Sequence, residues 1–93
     1  MLQNKNVEVF HKDSKTCYKY HDTIVCEVHD DFVMLYTGGY YTRSTKTLIN
    51  EILQLHDISW TVQQIKYQWY CILDSFPKKR KIKFEEGIKL KIK

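Results

Sequence analysis

The order of hydrophobic patterns along the chain predicts an α+β domain, a mainly antiparallel, curved sheet of five to seven strands with one helix packed across it. Three observations carry that expectation. Stretches in which apolar and polar residues alternate occur both early and late. One central stretch instead repeats at helical spacing. The strands come in runs rather than in regular alternation with helices, which argues against a parallel α/β sheet.

Taken in order, Val7 to Phe10 alternates weakly and reads as a first short strand, followed by the polar turn His11-Lys12-Asp13-Ser14-Lys15. Thr16 to Tyr20 resumes the alternation, with Tyr18 and Tyr20 on one face. In Thr23 to Val28 the residues Ile24, Cys26 and Val28 share a face. After the turn His29-Asp30-Asp31, the β-branched and aromatic stretch Phe32 to Thr37 completes an antiparallel hairpin. Gly38-Gly39 ends it, because paired glycines admit backbone angles that other residues avoid. From about Ser44 to His56, Leu48, Ile49, Ile52, Leu53 and Leu55 recur at helical spacing, and a hydroxyl of Thr42 or Ser44 is placed to cap the first turn. Ser59 to Ile65 and Gln68 to Leu73 are two further strands carrying Trp60, Trp69 and Tyr70, and Asp74-Ser75-Phe76-Pro77 is a turn.

Charge is concentrated in what remains. Lys78 to Lys93 holds eight of the fifteen Lys and Arg residues and two acids, about +6, while the rest of the chain sums to about −2. Alternation predicts a C-terminal hairpin turning at Glu85-Glu86-Gly87, with Ile82, Phe84, Ile88, Leu90 and Ile92 facing the core. If Phe84 lies opposite Ile88, Lys83 faces Lys89 and Lys81 faces Lys91, a positive plate whose like charges repel unless an anion screens them. Lys78, Lys79, Arg80, Lys81, Lys83, Lys89 and Lys91 are thus candidate contacts for phosphates. The plain alternative is lysines guarding an exposed edge strand against association.

Ninety-three residues with 43% hydrophobic side chains suffice for one domain, residues 1–93, and not for two ordinary ones. Cys17, Cys26 and Cys71 form an odd set without a C-x-x-C pair, which fits a reducing intracellular setting rather than a disulfide-stapled secreted scaffold. Charges interrupt every hydrophobic stretch, and Met1 to Asn6 lacks the pattern of an export signal, so the expectation is a protein of the cytoplasm without a membrane span.

The densest polar cluster is the lead-in to the helix, where Tyr40, Tyr41, Thr42, Arg43, Ser44, Thr45 and Lys46 follow the two glycines. A helix start offers unpaired N–H groups and partial positive charge, which suits a phosphate or a carboxylate. The spacing is not that of a P-loop, and ordinary capping is the simpler use of one hydroxyl.

GGYYTRSTKTLIN, residues 38 to 50, resembles a pattern found in small proteins of tailed phages: Gly-Gly-aromatic, Thr, a Ser/Thr pair, Lys and a following Asn. The preceding strands from Thr23 to Thr37, the aromatic strand Gln68 to Leu73 and Phe84-Glu85-Glu86-Gly87-Ile88 fit the same pattern, while Leu48 stands at a position that is commonly basic in it. The resemblance implies a phage origin, with the host cytoplasm as the place of action. It also implies a partner in host machinery, defence enzymes included.

Rings interleaved with cations, in Tyr18-Lys19-Tyr20 and Lys66-Tyr67-Gln68-Trp69-Tyr70, could stack unpaired bases, although rings on alternating strands are more often core. His11, Cys17, His21, Cys26 and His29 crowd the first third in a zinc-like order, but Cys26 and His29 point to opposite faces of one strand. His29 with Asp30 and Asp31, or His56 with Asp57, are adjacent turn residues without a nucleophile motif. The expectation is therefore a binding protein rather than an enzyme, without cofactor or metal, acting as monomer or homodimer. Its first reading is a nucleic-acid-binding accessory protein. The alternative is an inhibitor of a host or defence nuclease, anti-CRISPR-like, whose lysines cover an acidic protein surface.

Overall fold

The computed structural model describes residues 6–75 and 78–92. Strands β1 (Val7–Lys12) and β2 (Lys15–Tyr20) are joined by a two-residue turn at Asp13 and Ser14, both at positive φ. Turns of this kind follow the twist of the flanking strands. The ladder therefore runs on through His11 and Lys12, which their polar character assigns to the turn.

β3 (Thr23–Val28) pairs with β2, and β4 (Phe32–Leu35) with β3. The β2–β3 register pairs Tyr18 with Cys26 but Lys19 with Ile24. Val25 is the extra residue at this bulge. It is buried beside Cys26, and Val28 packs half-buried against the core, so of the expected Ile24, Cys26, Val28 face the bulge changes the first member, with Val25 buried and Ile24 only half-buried.

Helix α1 spans Arg43–Leu55 and is capped by Thr42, whose Oγ1 accepts from Thr45 N at 3.3 Å. Leu48, Ile49, Ile52 and Leu53 are buried, but Leu55, the last helical residue, extends past the packed face and is exposed. At the far end, Tyr18 Oη and His56 Nε2 lie 2.6 Å apart and tie the helix to β2. Burial holds the His56 imidazole below its ordinary pKa.

β5 (Trp60–Ile65), β6 (Gln68–Ser75) and β7 (Lys78–Lys83) form a second antiparallel sheet in that order, while β8 (Ile88–Lys91) returns to the first, giving β1-β2-β3-β4-β8. Asp74 and Ser75 belong to β6 rather than to a turn, and Phe76 and Pro77 lie outside the described residues. The fold is α+β, and the described residues form eight strands in two antiparallel sheets with a single helix against them, where the sequence suggests one sheet of five to seven strands.

This topology corrects the C-terminal hairpin. β7 and β8 do not pair: Lys81 lies opposite Ile72 and Lys83 opposite Tyr70, while Lys89 lies opposite Met34 and Lys91 opposite Phe32. Phe84 N donates to Trp69 O at 3.0 Å and Gly87 N to Leu35 O at 2.8 Å, so Phe84 to Gly87 carries the chain from one sheet to the other. Gly87 takes the expected positive φ of 75°. Two separate ladders satisfy the backbone, and Ile82 and Leu90 still reach one common core. The exposed lysines of β7 and β8 thus belong to two different sheets, and no lysine of one row lies opposite a lysine of the other.

That core is continuous, joining Tyr18, Leu35 and Leu90 of the first sheet to Trp60, Val62, Trp69 and Cys71 of the second through the helix. Asn50 adds a polar fastening: its Nδ2 donates to Val62 O at 2.9 Å and its Oδ1 accepts from Val62 N at 2.7 Å. The side chain thereby imitates a neighbouring strand along the free edge of β5.

Candidate nucleic-acid interface

The second sheet turns one face to the core and one outward. Trp60, Val62, Trp69, Cys71 and Ile82 point in, so alternation sends Tyr70, Ile72, Lys79, Lys81 and Lys83 out. Tyr70 lies opposite Lys83, and the Lys81 ammonium sits 4.9 Å from the Tyr70 ring centroid. Lys79 meets Asp74 at 3.7 Å, an exposed pair that contributes little. Arg80 instead leans across the inner side, 6.0 Å from the Trp60 ring. Lys78 is placed through its backbone pairing with Ser75.

The tip of this sheet is the turn Lys66-Tyr67, and both residues adopt positive φ, 50° and 68°. Glycine or asparagine is the usual occupant of such positions, and a bulky ring there carries a backbone cost of order 1 kcal/mol. Tyr67 is 95% exposed, so no packing offsets that cost. The tyrosine stands free beside Lys66 at the end nearest Tyr70.

Lys89 and Lys91 lie elsewhere, on β8 of the first sheet. The Lys89 ammonium is 4.1 Å from the Phe32 ring centroid, and Lys89 and Lys91 share a shallow recess with Asp31. Two cations and an acid make that face less positive than the β7 face.

The helix lead-in is mostly committed to structure. Gly38 has φ +66°, and a Cβ there would come within 2.8 Å of Thr23 Cγ2. Thr42 caps the helix, and Thr45 is buried with its Oγ1 3.0 Å from Thr42 Oγ1. Tyr41 packs edge-on against Trp69 at 5.0 Å and Phe84 at 5.9 Å. Tyr40, Arg43 and Ser44 remain exposed and Lys46 half-buried. A cavity of about 420 Å³ opens beside the helix start, lined by Tyr20, His21, Asp22, Tyr40 and Ser44 among others. Arg43 instead lines a separate groove with Glu51. Each recess carries a carboxylate, which opposes a phosphate in either.

The residue that sequence reasoning passed over is Glu86. Its Oε1 accepts from Thr37 N and Gly38 N, both at 2.8 Å, and its Oε2 accepts from Thr37 Oγ1 at 2.5 Å. Partial burial alone would raise this carboxyl. Hydrogen bonds from the Thr37 hydroxyl, the two backbone N–H groups and the Tyr41 hydroxyl outweigh it and hold the pKa below the usual glutamate value. The carboxylate thus occupies the concave backbone of the Gly-Gly loop as an internal anion. Stability from this bond set is complete above the ordinary glutamate pKa and is lost as pH falls through the depressed one. Replacing Glu86 with Gln is expected to cost about 1–2 kcal/mol at neutral pH, because charge-assisted bonds become neutral ones at a partly solvated site. It should also flatten the acid limb of stability. Urea titrations between pH 3 and 7 check both, and an unchanged acid limb counts against this role for Glu86.

Cys17, Cys26 and Cys71 are buried free thiols, and burial pushes Cys71 up to about 12. Among the described residues, no three or more His, Cys, Asp or Glu side chains group as a metal site, and no helix is long and apolar enough to cross a membrane.

The fold is that of a small α+β protein built on two antiparallel sheets. The model of the Kyanoviridae Gp96 protein family matches residues 1–91, and the chain belongs to that family. Neither curated proteins nor solved structures gave a match.

Proposed function

We propose that this protein is a phage accessory protein that binds single-stranded nucleic acid on the outward face of the β5–β7 sheet. One observation carries the reading: Lys79, Lys81 and Lys83 stand in a row beside Tyr70, with an unsupported tyrosine, Tyr67, at the tip of the same sheet. Lysines on alternate residues neutralise phosphates without reading sequence, and exposed rings stack on any base. A base that stacks on Tyr70 takes the place of the Lys81 ammonium, which then turns to a phosphate. Lys89 and Lys91 lie on the other sheet and have no part in this contact.

Fluorescence anisotropy with a labelled oligothymidylate tests it. Three phosphate contacts give a slope of log K against log salt near about −2, or roughly twentyfold weaker binding between about 50 and 200 mM salt. Lys81→Ala with Lys83→Ala should cut that slope to about a third, whereas Lys89→Ala with Lys91→Ala should leave it unchanged. Tyr67→Ala and Tyr70→Ala should each cost about 1–3 kcal/mol of binding. No binding at low salt removes the proposal and favours the other use of the same lysines, capture of an acidic surface on a host or defence nuclease. Equal losses from both lysine pairs would place the contact somewhere other than this face.

A further inference from the structure

Among the described residues the two sheets have four edges, and three are protected. β5 is fastened by Asn50. β7 is lined with lysines. β8 is four residues long, carries Lys89 and Lys91, and has its Lys91 carbonyl bonded by Trp60 Nε1 at 3.0 Å. Short edges, charges and covering side chains are the usual means of keeping edge strands from pairing. β1 lacks them. It is six residues long, with Val9 50% and Phe10 36% exposed.

We infer that β1 is a homodimer interface, in which two copies pair antiparallel about a twofold axis through Phe10. The tight Asp13-Ser14 turn makes Lys12 and Lys15 a hydrogen-bonded pair, so the N–H and C=O groups of Lys12, Phe10 and Glu8 point to β2. Those of Val9 and His11 point outward. A second β1 can therefore join only in registers that pair outward residues with outward residues. Centred on Phe10, Val9 bonds His11 of the other copy and Phe10 packs on Phe10. Glu8 then lies opposite Lys12 at both ends. Shifting by one allowed step toward either end puts Glu8 or Lys12 opposite Phe10 instead and loses both opposite-charge pairs. A parallel, in-register pairing would set Glu8 on Glu8. The pattern Glu8-x-Phe10-x-Lys12 is thus complementary to itself in one orientation and one register, and dimerisation joins two five-stranded sheets into one of ten.

A single strand edge buries less than a standard interface, so the expected dissociation constant is about 10–100 μM. Sedimentation velocity on the full chain, from about 1 to 500 μM, brackets that range and should show a monomer converting to a dimer. Glu8→Lys and Lys12→Glu should each weaken the dimer at least tenfold, since each sets like charges at both ends. An equimolar mixture of the two variants should recover it, because both lysines of the first variant then lie opposite glutamates of the second. Circular dichroism melts of these surface variants verify that folding is retained. A wild-type chain that stays monomeric across the range overturns the inference. So does a dimer indifferent to both reversals, or a mixture that fails to reassociate.

Discussion

Trp69→Ala is expected to lower the unfolding free energy by about 4 kcal/mol, within the range for truncating a buried tryptophan. Trp69 is buried on the inner face of β6 and meets the Tyr41 ring at 5.0 Å and the Phe84 ring at 5.6 Å, each edge to face. It joins three parts of the chain: the second sheet, the loop before the helix and the crossing between sheets. Removing the indole leaves a cavity that a fixed strand cannot fill, and it takes away both ring contacts, each of which adds about 0.5–1.5 kcal/mol beyond buried area. A domain of this size has about 5–14 kcal/mol in total, so the variant should unfold at far lower urea and lose near-ultraviolet dichroism from its remaining rings. Trp69→Phe retains one ring and should lose roughly half as much. A loss under about 1 kcal/mol for Trp69→Ala would mean the ring cluster is not a structural joint.

Asn50→Leu should cost about 3 kcal/mol although leucine is the better helix former and is similar in size. Two bonds disappear, to Val62 N at 2.7 Å and Val62 O at 2.9 Å, and both backbone groups are left unpaired beside the core. Leaving a buried donor or acceptor without a partner costs about 1–3 kcal/mol each, which exceeds the gain in helix propensity. Asn50→Asp separates the two bonds. Its carboxylate still accepts from Val62 N but cannot donate to Val62 O, so this variant should be less damaged than the leucine one at neutral pH and should recover further when acid supplies the missing proton. Hydrogen exchange at the Val62 amide reports the first bond directly. Equal stability of the wild type and both variants in urea would dismiss the fastening.

Local elements were legible in the sequence because each depends on its own period. The helix, with a cap at Thr42 or Ser44, and strands β3, β5 and β6 are legible within a few residues of where they lie, and the cap is Thr42. The inward sides of β7 and β8 were legible too, since Ile82, Ile88 and Leu90 do face the core. What alternation cannot encode is the identity of the neighbouring strand. β7 and β8 share a pattern and are separated by an acidic, glycine-containing turn, so a hairpin satisfied every local rule. The turn's own chemistry was hidden for the same reason. Glu86 looks like a solvated turn residue until Thr37 and Gly38, far away in sequence, present their N–H groups to it. The candidate site was half legible. Lys79, Lys81 and Lys83 form one row, Lys89 and Lys91 another. The dense hydroxyl cluster before the helix went largely into capping and packing, because a sharp entry from a glycine pair to a helix leaves many backbone groups to satisfy.

The crossing at Phe84 to Gly87 also sets the order in which the molecule can be assembled. Each neighbouring pair from β1 to β4, and from β5 to β7, closes through a short connection and can form early. Pairing β8 with β4 brings Ile88 to Leu35 across a segment that contains the helix and the entire second sheet. The entropy of closing so long a loop is recovered only when Leu90 seats in an existing core. The first sheet is therefore sealed last, and any chain that has not yet docked β8 exposes the bare margin of β4. At high protein concentration that vacancy, more than any finished surface, is the expected site of misassociation during refolding.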